Sequence, residues 1–93
     1  MTDKIEDNVV YVGSKEPSVY AFTIKTIFEK DIKEVKVMSR GKSILTAISV
    51  VEFMKRSKQL EVKEIKTSSS EYTPKGEDRK IFVSSIEITV TKK

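Results

Sequence analysis

The chain has neither cysteine nor histidine, and those two absences exclude more chemistry than any residue present suggests. Without thiols there is no disulfide scaffold and no thiolate nucleophile. Without imidazole the common general base near neutral pH is missing, and so are most zinc and haem sites. A magnesium site built from carboxylates, and catalysis by lysine, tyrosine or carboxylates, stay open on composition alone. No nucleotide-hydrolase phosphate loop is present, because Gly41-Lys42-Ser43 lacks the upstream glycine that the motif requires. Glu77 and Asp78 are neighbouring acids in a polar stretch, where such pairs more often aid solubility than hold a metal. The expectation is a protein that is not an enzyme, with no cofactor, no metal and no catalytic residue. Apolar runs long enough to cross a bilayer are absent as well, so no membrane partner is expected. Met1 to Asp7 is acidic and has no signal-peptide core, which predicts a disordered polar tail on a cytoplasmic protein.

What is present fits one small folded domain. The chain has 93 residues, 38% hydrophobic and 34% charged, enough for a single modest core. Its net charge of +4 is uneven. Residues 1–31 hold four lysines and six acids, whereas residues 32–93 hold fourteen bases and eight acids. Within the latter, residues 32–58 carry seven bases against two acids. A basic half suits a polyanion such as nucleic acid, but it equally suits the lysine- and glutamate-rich surface of a heat-stable protein. Charge alone leaves both open.

Hydrophobic periodicity orders the elements. Residues 8–13, Asn-Val-Val-Tyr-Val-Gly, read as a short strand, buried on both sides and therefore central. Pro17 suits the first turn of a helix. Val19, Tyr20, Phe22, Thr23, Ile24, Ile27 and Phe28 then recur at helical spacing to about Lys30. Ile32 to Met38 alternates as a second strand, with Val35 and Val37 on one face. A second helix runs to about Ser57, with Ile44, Leu45, Ile48, Val51 and Met54 inward. Phe53 fits neither side of it, as an aromatic free for a partner or as a residue at the core's rim. The third strand begins at Leu60, and its alternation switches parity at Lys63-Glu64, which predicts a bulge. The last strand, residues 81–91, turns Ile86, Ile88 and Val90 inward and pairs with the third as a long hairpin whose tip is near Lys75-Gly76. The order β-α-β-α-β-β predicts a two-layer α/β sandwich, a mixed four-stranded sheet with two helices on one face.

The candidate site is the strand-to-helix junction from Val35 to Ile44. There Arg40 and Lys42 flank Gly41, where a helix N-terminus offers free N–H groups and the positive end of a dipole. Taken alone, these cations are as readily solvated turn charges. Lys15 follows the first strand, and in a parallel βαβ unit it emerges at the same sheet edge as Arg40 and Lys42. A third cluster, Lys75, Arg79 and Lys80, lies on the hairpin arm, with Tyr72 placed to pack a base or sugar.

These residues carry a resemblance. The run from Asn8 to Gly13 followed by a lysine, Met38-Ser39-Arg40-Gly41-Lys42-Ser43-Ile44 opening a helix, Val62-Lys63-Glu64-Ile65, and Ser85-Ile86-Glu87-Ile88 before a terminal Lys92-Lys93 resemble the Alba family. Its members are small chromatin- and RNA-associated proteins found mostly in archaea. The resemblance implies a homodimer that binds double-stranded DNA and RNA, a chromosome-associated place in the cytoplasm, and a part in chromosome condensation. It assigns the nucleic-acid surface to Ser14 and Lys15, to the turn Arg40, Gly41 and Lys42, and to an arm over roughly residues 70–80. Lys15 is the implied acetylation position. Ser14 stands where the family often has a second lysine, and Glu16 separates Lys15 from Pro17. With the arm's acids Glu71, Glu77 and Asp78, these departures predict weakened non-specific affinity and some sequence or RNA preference. The alternatives are a protein subunit of an RNA–protein complex, and an enzyme holding the phosphate of a small substrate at the turn. Against the enzyme stand the missing histidine and cysteine.

Overall fold

Alternation decides which side of each strand is buried, because successive side chains leave opposite faces. In the computed structural model, which describes residues 8–93, the strand Glu34–Arg40 (β2) turns Val35, Val37 and Ser39 into the core and Glu34, Lys36, Met38 and Arg40 away from it. Ile81–Lys92 (β4) pairs antiparallel with it, Val37 opposite Ile88 and Arg40 opposite Ser85. Val9–Tyr11 (β1) lies parallel to β2, with Val10 opposite Val37. Leu60–Tyr72 (β3) runs antiparallel to β4 on its other side. The sheet order is β1-β2-β4-β3. The tail expected over residues 1–7 lies outside the described residues.

Two helices cover one face, Pro17–Glu29 (α1) over β1 and β2, and Ile44–Arg56 (α2) over β2 and β3. The core between the layers is built on Ile24, Val35, Val37, Ala47 and Val90, all at 0% exposure. Each large aliphatic side chain buried in this way contributes about 1.5–3 kcal/mol. Pro17 opens α1, where its missing N–H costs nothing. α2 ends with Lys58 in a left-handed conformation, and the Gln59 N–H donates back to the Met54 carbonyl at 2.9 Å. The expected bulge is at Lys63: Val62 opposes Val90, and the next paired residue, Glu64, opposes Thr89.

Three details of the sequence reading need correction. β1 is an edge strand, not a central one. Its apolar run suggested burial on both sides, yet Tyr11 points away from the core and is 71% exposed. On α1, Val19, Phe22 and Thr23 face outward. On α2, Leu45 and Ile48 are exposed, while Ala47 and Val50 take the inner positions. Small Ala47 allows the helix to sit close to the sheet, and size-weighted periodicity overlooked it. Phe53 is exposed and lines a groove between the helices with Phe22.

The α2 assignment is open to test. Ala47→Leu should cost about 1–3 kcal/mol by overpacking, whereas Glu52→Ala, on the exposed side of α2, should leave stability nearly unchanged. Thermal unfolding of both variants checks this, and an Ala47→Leu variant as stable as the wild type contradicts the orientation.

Candidate nucleic-acid interface

Because β1 and β2 are parallel, both strands release their following loops at the same end of the sheet. Two hydrogen bonds lock the exits together. The Val12 N–H donates to the Met38 carbonyl at 2.8 Å, and the buried Ser39 hydroxyl donates to the Val12 carbonyl at 2.9 Å. Beyond Val12 the first loop is tied down by a helix residue. The Tyr20 phenol oxygen accepts the Gly13 N–H at 2.8 Å and the Lys15 N–H at 3.0 Å. Lys15 therefore extends from a fixed backbone, with Ser14 beside it, and both are exposed. Periodicity placed Tyr20 in the core, where its ring does lie, but gave no role to the hydroxyl. A tyrosine in the first helical turn, just after a glycine loop, was the signal available.

The second loop is the tight turn expected at Gly41. Arg40 ends β2 in extended conformation, Gly41 has φ +60°, and a single 3-10 turn, Gly41–Ser43, leads into α2. A Cβ on Gly41 would approach only Val83 Cγ1, at 3.9 Å, so the glycine is required by its left-handed backbone rather than by space. Arg40 and Lys42 project on either side of it, both exposed.

The hairpin brings the third cluster to this same end. β2 stops where Arg40 faces Ser85, but β3 and β4 continue pairing out to Tyr72 opposite Ile81. The ladder therefore extends past the sheet as an arm, on the side where Lys15, Arg40 and Lys42 emerge. Its tip is a turn closed by the Glu77 N–H donating to the Pro74 carbonyl at 3.1 Å, with Gly76 at φ +85°. Tyr72, expected within an irregular arm, is the last residue of β3, so only residues 73–80 lie outside the ladder. Arg40 and Tyr72 line one groove of about 470 Å³ on the sheet face away from the helices.

Charge at this end is unevenly available. Arg79 Nε is 2.7 Å from Glu77 Oε1, and Lys80 Nζ is 3.7 Å from Glu71 Oε2. Exposed pairs like these are worth at most about 1 kcal/mol, so a phosphate can displace the acids, though against competition. Among the described residues, Lys15, Arg40, Lys42 and Lys75 make no ion pair. The base-rich segment 32–58 is not all at this site. Lys33 precedes β2 and Lys58 follows α2, both at the opposite end of the sheet, where Lys92 and Lys93 bond to the Lys33 and Gln59 carbonyls.

The role of the Tyr20 hydroxyl can be measured. Tyr20→Phe removes the acceptor of two N–H groups and should cost about 1 kcal/mol, with faster amide exchange at Gly13 and Lys15. Unchanged exchange at both amides contradicts the assignment.

Comparison with known proteins agrees with this geometry. Residues 8–69 match the Alba family model. The DNA/RNA-binding protein Alba of Methanothrix thermoacetophila is 41% identical over 91 residues, spanning 94% of this chain and 98% of that one. DNA/RNA-binding protein Alba 2 of Methanopyrus kandleri is 39% identical over 62 residues, 64% of this chain and 67% of its own. Among solved structures, Alba from Thermoplasma volcanium superposes with a TM-score of 0.77 at 31% identity, covering 91% of this chain and 100% of that one. ALBA1 from Trypanosoma brucei gives 0.79 at 33%, covering 96% and 72%. A sheet with its two parallel-strand loops, its Arg-Gly-Lys turn and its projecting hairpin at one end thus has relatives of the same fold over more than nine-tenths of the chain, and the chain belongs to the Alba family.

Proposed function

We propose that this chain binds double-stranded DNA and RNA as a homodimer, through phosphate contacts made by the loop end of its sheet. The observation that carries the reading is the convergence there of three separate segments: Lys15, the Arg40–Lys42 turn and the hairpin arm. The names of the relatives, DNA/RNA-binding protein Alba, support it. In this reading Arg40, Lys42 and Lys15 contact phosphates, with Ser14 beside them as a neutral donor. Gly41 gives the turn its shape. Lys75, Arg79 and Lys80 follow the nucleic acid along the arm, and Tyr72 packs against a sugar or base. Lys15 is also the candidate for acetylation, which would remove one charge from the centre of the surface.

Dimerisation is supported by apolar side chains that a lone chain leaves wet. Leu45 and Ile48 on α2 are exposed by 72% and 40%, and Ile65 on the outer strand by 57%. Ile65 opposes Ile88 in the ladder and so shares the helix-bearing side of the sheet with α2. A second copy covering this edge would set two loop ends and two arms side by side. Affinity would be lowered by Glu16 beside Lys15, by Ser14 in place of a second lysine, and by the acids already paired on the arm. The protein would work on the chromosome, in the cytoplasm.

Binding to arbitrary duplexes should fall with salt along a straight line in log–log coordinates, with a slope of about −0.9 per phosphate contacted. Arg40→Ala should weaken every sequence alike and flatten that slope by about one contact. Unaltered affinity and slope would place the surface elsewhere. For the dimer, sedimentation should give twice the chain mass for the wild type and a folded monomer for Leu45→Glu with Ile65→Glu. A double variant that stays dimeric would move the interface.

A further inference from the structure

The sheet face turned away from the helices carries an aromatic and cationic diagonal, of which the duplex reading uses Arg40 and Tyr72 and leaves Tyr11 without a role. Alternation puts Tyr11, Met38, Arg40 and Tyr72 on this side, since their neighbours Val10, Val37 and Ser39 are buried in the core and Tyr72 keeps the parity of Ser85, the partner of Arg40. Tyr11 is 71% exposed and Tyr72 53%. Two adjoining grooves lie along the diagonal. One, of about 380 Å³, is lined by Tyr11, Met38 and Arg40; the other, of about 470 Å³, by Arg40, Ser70 and Tyr72; Arg40 and Ser85 belong to both.

Strand geometry sets the spacing. Tyr11 opposes Met38, one strand over from β2 and two residues short of Arg40, which puts the Cα atoms of Tyr11 and Arg40 about 8 Å apart. Tyr72 lies two strands across from Arg40 and four residues further on, so the two tyrosines are about 25 Å apart in Cα position. That distance suits a short run of nucleotides rather than a neighbouring pair. Flat phenol faces suit nucleobases, and base stacking on aromatic rings tolerates any sequence because every base has such a face. The guanidinium between them suits a phosphate or a base plane, and the hydroxyls of Ser70 and Ser85 suit polar base edges. Bases inside a duplex are stacked on each other and cannot present their faces to a sheet. Only unpaired ones can.

We propose that this open face also holds an unpaired strand, with one base against Tyr11, another against Tyr72 and Arg40 on the backbone between, so that Arg40 and Tyr72 serve both ligands and Tyr11 the single strand alone. The proposal rests on the reading that the chain binds nucleic acid, and it adds a ligand class, single-stranded RNA or DNA, and a residue, Tyr11, that duplex contact does not involve. Tyr11→Thr removes the ring and keeps a strand-favouring residue; Tyr11→Phe keeps the ring. Fluorescence anisotropy with short oligouridylate, short oligothymidylate and a blunt duplex reads all three ligands.

The expected result is a loss on the order of tenfold in single-strand affinity for Tyr11→Thr, near-wild-type binding for Tyr11→Phe, and unchanged duplex binding in both. Loss on oligouridylate alone would assign the subsite to RNA, and on oligothymidylate alone to DNA. Wild-type single-strand affinity in Tyr11→Thr while the duplex still binds, or equal losses on strand and duplex, would overturn the subsite and leave the duplex reading standing. A wild-type protein that binds none of the three would overturn both.

Discussion

The parallel pairing of β1 with β2 is the constraint on which the arrangement depends. It is a short pairing, three residues on the β1 side, reinforced where it ends by the Ser39 hydroxyl on the Val12 carbonyl. Parallel neighbours must release their following loops at one end of a sheet. Antiparallel neighbours would have sent Lys15 and Arg40 to opposite ends. The same register then decides where the hairpin extends, because β4 passes beyond Arg40 and carries β3 with it. One pairing choice thus gathers three segments that are far apart in sequence. The helices close the opposite face, and their core residues hold β1 and β2 in register.

Much of this was legible in the residues. Element order, the Gly41 turn, the bulge at Lys63 and the inward set of β4 follow from period and parity, which are local properties. So did the inference that Lys15 and Arg40 share a sheet edge, since it needs only the handed βαβ unit. What local pattern could not give was the context of a short apolar run. β1 is as apolar as a central strand, and only the strand order shows that Tyr11 lies on an open edge. Nor does helical period fix rotation when apolar residues surround much of the helix. α2 offers Ile44, Leu45, Ile48 and Phe53 as well as Ala47 and Val50, and the sheet takes Ala47, Val50, Val51 and Met54. The phenol of Tyr20, bonded to the Lys15 loop, was out of reach for a different reason: a ring predicts burial, but not the partner of its hydroxyl.

The charge pattern is where sequence and structure differ most usefully. Segment 32–58 looked like one basic block, yet the fold divides it, sending Arg40 and Lys42 to the loop end and Lys33 and Lys58 to the other. Net charge says that the molecule attracts polyanions over distance; topology says where they would be held. On the arm, two of three cations already face an acid, so at this end of the sheet the unpaired charge is that of Lys15, Arg40 and Lys42, with Lys75 near the tip. Affinity would then depend on a few well-placed cations rather than on an extended basic surface.

Both ends of the sheet are basic, and only one carries the Gly41 turn and the projecting arm. The most direct test of this account is amide chemical-shift mapping during titration with a duplex of arbitrary sequence. The account predicts that residues 13–15, residues 40–43 and the arm move together along one saturation curve, while Lys33 and Lys58 stay still. Shifts centred on Lys33, Lys58 and Lys92, with the loops silent, would contradict it.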